Sequence, residues 1–158
     1  MITLKIKGTD HELKFNLKAL FKANQDFSTK DDEGDSLGNG GSQLYIQLGL
    51  GNDEALANVI RVTAKGKFSE DDILDAIENY IEEEGITYDE FFELFKREME
   101  QSRFFSKKIT DLKKTLEKQK ITLSNKDTDE AKEQLQGVEH ILSLMPQEKS
   151  LSLAPDTE

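Results

Sequence analysis

The sequence predicts an α+β protein, mainly α, made of an N-terminal β-hairpin followed by a helical domain and a C-terminal helical extension. Two patterns carry that expectation. Apolar and polar residues alternate strictly at the start of the chain. Beyond residue 50, capped segments follow one another with apolar members every three or four positions. Only two prolines interrupt 158 residues, and there is no tryptophan, which suits a helix-rich chain.

In order along the chain, Ile2, Leu4 and Ile6 alternate with Thr3, Lys5 and Lys7, and Leu13 and Phe15 resume the alternation after Gly8-Thr9-Asp10. This reads as a hairpin with its turn at those three residues and His11 in the turn. Asn16 can cap a short helix with Leu17, Leu20, Phe21 and Asn24 on one face. The stretch Ser28 to Ser42 is acidic and glycine-rich with almost nothing to bury, so a mobile loop is expected. Gln43 to Leu50 fits a strand or a helix equally, since Leu44, Ile46, Leu48 and Leu50 alternate while Leu44, Tyr45 and Leu48 share a helical face.

Asn52 or Asp53 caps a helix holding Leu56, Val59, Ile60 and Thr63, which should end near Gly66. Ser69 with Asp72 opens a helix striped by Ile73, Ala76, Ile77, Tyr80 and Ile81, closed by Gly85. Thr87 with Glu90 forms a capping box before Phe91, Phe92, Leu94, Phe95 and Met99. A basic helix with Ile109, Leu112 and Leu116 follows. Asp127 with Glu130 then starts a last helix carrying Leu135, Val138, Leu142 and Met145, stopped by Pro146. The two stripes are expected to pack as a helical hairpin or to dock on a partner.

Charge excludes several functions. Against 21 Lys+Arg stand 32 Asp+Glu, a net −11, which repels a phosphate backbone and makes nucleic-acid binding unexpected. Apolar residues are 35% of the chain, and no run approaches a membrane span, so a soluble cytoplasmic protein without a membrane partner is expected. The charge is distributed in blocks: −8 over Val59 to Glu100, then +5 over Gln101 to Leu123, then −5 to the end. The sign reversal near Gln101 marks a candidate boundary.

Catalytic chemistry finds little support. Without cysteine there is no disulfide, thiolate ligand or thiol nucleophile, and His11 and His140 are too few for a His-rich zinc site. Asp31, Glu33 and Asp35 alternate as calcium ligands would, but Ser36 and Ser42 occupy the positions where the EF-hand needs glycine and glutamate. Gly49-Leu50-Gly51 lacks the third glycine of a dinucleotide fingerprint. Asp71-Asp72 and Glu82-Glu83-Glu84 lie opposite apolar stripes, as solvated faces do, and Ser102 and Ser106 have no histidine nearby. No catalytic, metal or cofactor site is therefore expected. The densest apolar feature is Phe91, Phe92, Phe95, Phe104 and Phe105; it exceeds what one helix face can bury, so these residues are the candidate partner-binding set, at least one of them exposed.

The order Lys14-Phe15-Asn16-Leu17, Gly51-Asn52-Asp53-Glu54-Ala55-Leu56-Ala57-Asn58-Val59-Ile60, Asp71-Asp72-Ile73, Phe91-Phe92-Glu93-Leu94-Phe95 and Ser102-Arg103-Phe104-Phe105-Ser106-Lys107-Lys108 resembles the tail assembly chaperones of long-tailed phages and prophages of Gram-positive bacteria. The resemblance runs from Glu12 to Ile109, about two thirds of the chain. It departs in the longer acidic loop Asp31 to Gly41 and in Asn52 where an aspartate cap is expected, and Leu112 to Glu158 matches nothing in the family. It implies a helix over Gln43 to Leu50 and a non-enzymatic cytoplasmic protein. Such a chaperone coats the tape measure protein, helps recruit major tail tube subunits, and is absent from the finished virion. Its implied partners are therefore the tape measure protein, the tail tube protein and another copy of itself, as a homo-oligomer.

The implied organisation is a tail-assembly-chaperone-like domain over 1–109, a helical extension over 110–145 and a disordered tail over 146–158. Family members are often made in two lengths by ribosomal slippage, and Lys107-Lys108 and Lys113-Lys114 are candidate slippery codons. The competing reading is a small acidic DNA-mimic inhibitor, or another acidic helical interaction module, presenting the Val59 to Glu100 carboxylates. Steep salt dependence of binding would mark the mimic.

Overall fold

The computed structural model describes residues 1–146. An antiparallel hairpin, β1 (Ile2–Ile6) and β2 (Thr9–Leu13), is followed by seven helices among the described residues: α1 (Leu17–Phe27), α2 (Gly40–Gly49), α3 (Asp53–Thr63), α4 (Glu70–Glu84), α5 (Tyr88–Gln101), α6 (Arg103–Ser124) and α7 (Asp129–Ser143). The chain divides after Lys108 into two compact units. The expected disordered tail lies, apart from Pro146, outside the described residues.

In the first unit the hairpin pairs Ile2 with Leu13, Leu4 with His11 and Ile6 with Thr9. This register puts Ile2, Leu4, Ile6 and Leu13 on one buried face, which lies against α4. The turn comes earlier than the sequence predicts. Lys7 and Gly8 alone form it, with φ of 54° and 80°, the doubly positive geometry whose twist matches a two-residue hairpin. His11 consequently belongs to β2, where its ring meets Phe68 edge-on at 4.9 Å.

The Asn16 cap forms as predicted, its Oδ1 accepting from Ala19 N at 2.9 Å, but α1 buries a different face. Ala19, Leu20 and Ala23 point inward, while Leu17 and Phe21 are exposed. The small residues win because α2 lies too close for large ones. A Cβ on Gly40 would fall 1.9 Å from the Ala23 carbonyl oxygen, and one on Gly41 would fall 2.6 Å from Leu20 Cδ1. Gln43 to Gly49 are helical, as the family resemblance implies, with Leu50 as the C-cap, and α2 packs on α1, α3 and α5 at the centre of the unit.

The stretch expected as a loop over Ser28 to Ser42 ends earlier, because Gly40 to Ser42 form the first turn of α2, and the part before it is shaped by local polar bonds. Asp31 Oδ1 accepts from Glu33 N and Asp35 N, both at 2.9 Å, a bridge pairs Lys30 with Ser36, and Asn39 and Thr29 exchange two hydrogen bonds of 2.9 Å. These local polar bonds close the loop into a small hairpin without any core of its own.

Asn52, Ser69 and Thr87 cap α3, α4 and α5, and Gly85 ends α4 in the left-handed conformation at φ 65°. Ser102 joins α5 to α6: its N–H donates to the carbonyls of Glu98 and Met99, while its hydroxyl oxygen accepts from Phe104 N and Phe105 N. In the second unit α7 returns antiparallel to α6. It is capped by Thr128, one residue later than the expected Asp127, and Lys113 Nζ donates to Pro146 O at 2.7 Å.

Candidate functional site

The predicted phenylalanine set is mostly core. Phe91, Phe92, Phe95 and Phe105 are buried and Phe104 is half-buried. Spacing along α5 brings Phe91 and Phe95 ring to ring at 4.7 Å, and Phe15, reaching in just after β2, meets Phe95 at 6.4 Å and Phe105 at 6.0 Å edge-on. Tyr80 covers Phe91, and Tyr88 covers Phe92 at 5.1 Å. A helix face should have left one of these rings over, but α4, the hairpin's exit and the start of α6 supply partners on the other sides. Phe104 alone retains a part-exposed ring.

The more open apolar surface of the first unit lies elsewhere. A groove of about 500 Å³ runs between α4 and the start of α5, with Leu74, Ile77, Ile81 and Tyr88 as its apolar and aromatic lining. Leu74 is 46% and Tyr88 44% exposed, a large fraction for residues on helices that otherwise bury their stripes. The groove's charged lining is Asp53, Asp71, Asp75 and Glu78, all acidic. The Tyr88 hydroxyl donates to Asp53 Oδ1 at 2.7 Å, tying the first turn of α5 to that of α3; burial first, and then this bond, push the phenol up to about 12. A groove of this kind can receive an apolar helical stripe flanked by cations.

Sequence reasoning passed over both anchors. Leu74 sits beside the stripe Ile73, Ala76 and Ile77, and its apolar character widens that stripe beyond one buried face. Tyr88 is the first residue of its helix, with no preceding turn beside it, so only the side of its ring toward Phe92, one turn on, is covered within α5.

Toward the C-terminal end of α5, α2 and α5 share a part-buried polar contact. The Tyr45 hydroxyl donates to Glu100 Oε2, and Lys96 Nζ stands 5.7 Å above the Tyr45 ring and 3.8 Å from Glu93. Burial, followed by the Glu100 carboxylate, lifts the Tyr45 phenol above the ordinary tyrosine range, so it is a neutral donor. No buried side-chain nitrogen or oxygen among the described residues lacks a partner, and no cluster of three or more His, Cys, Asp or Glu there could hold a metal ion. Nor is any described helix long and apolar enough to cross a membrane.

The first unit is thus a mainly helical α+β fold that carries an acidic-rimmed apolar groove on its surface. The model of the phage tail assembly chaperone protein family, TAC, matches residues 3–114, and the chain belongs to that family. No curated protein and no solved structure matches it significantly. The matched span includes the hairpin, α1 to α5 and the first half of α6, and takes in both lysine pairs.

Proposed function

We propose that this tail assembly chaperone shields amphipathic helices of the phage tape measure protein, helps recruit major tail tube subunits, and is left out of the finished virion. The observation that supports this reading is the groove beside Leu74 and Tyr88, an apolar floor with an all-acidic charged rim. An amphipathic helix lays its apolar stripe on such a floor and its lysines or arginines against the carboxylates. Among Phe91, Phe92, Phe95, Phe104 and Phe105, Phe104 makes the contact with the tail protein, and the other four hold its helix in place from the core. The work is binding, carried out in the host cytoplasm, and the net charge of −11 keeps the loaded complex dispersed.

Co-expression tests the reading. The tape measure protein made alone should sediment with the insoluble fraction and should move to the soluble fraction with the wild-type chain. The triple variant Asp71→Lys, Asp75→Lys, Glu78→Lys should fold yet fail to solubilise it. A wild-type chain that leaves the tape measure protein insoluble, or a triple variant that protects it fully, rejects the reading.

A further inference from the structure

The second unit is a two-helix hairpin, and two helices side by side bury only the seam between them. Its open face holds a groove of about 720 Å³ whose apolar lining comes from Leu116 and Leu123 of α6 and Val138 and Ile141 of α7. Gly137 lies in the same groove, in the middle of α7. Glycine weakens a helix interior, and nothing in this chain demands it there: a Cβ built on Gly137 meets no atom within 4 Å, and its φ is not positive. The missing side chain leaves a notch through which another backbone can approach closely.

We infer that this face is the interface between two copies of the chain, which pair their hairpins into an antiparallel four-helix bundle. Charge identifies the occupant. From Ile109 to Ser124, α6 carries four lysines against two acids, and α7 carries four acids against one lysine. Within one hairpin the attraction is already used once, where Lys120 Nζ lies 3.8 Å from Glu139. A two-fold axis parallel to the helices sets α6 of each copy over α7 of the other, antiparallel, with opposite signs across both new seams. The alternative axis stacks α6 on α6 and repels. A foreign helix of either sign complements the net charge of only one of the two helices, whereas a second hairpin complements both. This pairing is independent of which tail protein the first unit binds.

Sedimentation equilibrium of the full chain tests the inference, with Gly137→Gln and Gly137→Ala beside the wild type. The wild type should be dimeric at about 100 μM, a concentration that detects micromolar association. Gly137→Gln places a bulky amide in a dry seam and should weaken dimerisation by about tenfold or more. Because both substitutions favour the helix, circular dichroism should show wild-type helix content in both variants, and the alanine variant should still dimerise. A wild type that stays monomeric, or a folded glutamine variant that dimerises as tightly as wild type, overturns the inference.

Discussion

The Ser102 hydroxyl donates to the carbonyl oxygen of Phe15 at 2.7 Å, across 87 residues of sequence. The same oxygen accepts from Phe104 N and Phe105 N, so one buried side chain caps α6 and fastens the α5–α6 junction to the exit of the hairpin. Ser102→Ala should therefore cost about 1 to 3 kcal/mol, the range for a lost cap combined with a buried carbonyl left unpaired. Urea unfolding of the two proteins measures it, and a change within error would mean that water replaces the hydroxyl.

Gly40→Ala and Gly137→Ala are the same substitution in helices, with opposite expected results. At Gly40 the new methyl group would collide with the Ala23 backbone at 1.9 Å, so α1 and α2 must separate. A loss of about 2 kcal/mol or more follows from overpacking against rigid backbone. At Gly137 the space is open, and a gain of up to about 1 kcal/mol follows from helix propensity. Thermal melts of both variants check the contrast.

Alkaline stability should depend on Tyr45. Its phenol ionises near the ordinary value of about 10 in the unfolded chain and at a higher pH in the fold, because it is buried and bonded to Glu100. The folded state thus holds a proton that the unfolded state releases. The associated stability is complete below pH 10 and declines above it, with a slope approaching about 1.4 kcal/mol per pH unit. Tyr88 and Tyr80 are raised in the same direction. Denaturant titrations from pH 8 to 11 should show Tyr45→Phe losing less stability over that interval than wild type, and parallel curves would contradict the assignment.

Alanine scanning of the aromatics should divide them by burial. Phe95→Ala should cost about 3 to 5 kcal/mol, as for a fully buried ring. Phe21 is 67% exposed, and its loss should change stability by less than about 1 kcal/mol. Phe104→Ala should fall between these in stability and should reduce capture of the tail protein in a pull-down. If Phe104→Ala binds normally, the contact proposed for that ring is wrong.

Much of the fold could be read in advance because its signals are local. The Ile2, Leu4, Ile6 alternation, the Ser69 cap and the Thr87–Glu90 capping box each specify a backbone conformation through neighbours a few residues away. The face of α1 could not be read this way, since Leu17, Leu20 and Phe21 outrank Ala19 and Ala23 in hydrophobicity. The alanines are buried only because Gly40 and Gly41 permit a close helix approach. The shape of the acidic loop was hidden for the opposite reason: it comes from side-chain to backbone bonds of Asp31 and Asn39, which hydropathy does not register. The phenylalanines were legible as apolar, but whether a ring is left over depends on Phe15 after the hairpin, Tyr80 of α4 and Tyr88 at the start of α5.

Helix α2 begins with two glycines and a serine, and Asn39 provides no side-chain cap for it. The Gly40 and Gly41 N–H groups donate to Ser28 Oγ at 2.8 Å and Asn24 Oδ1 at 2.9 Å, both supplied by α1 and the residue after it. A helix with so poor a start cannot nucleate by itself and must await its neighbour, which makes α2 a follower in the order of folding. Stopped-flow refolding should then place Asn24 in the rate-limiting ensemble: Asn24→Ala should slow folding while leaving the unfolding rate nearly unchanged. The central helix of the chaperone unit is thus the one least able to form alone, and α1 acts on it as a template within the same chain.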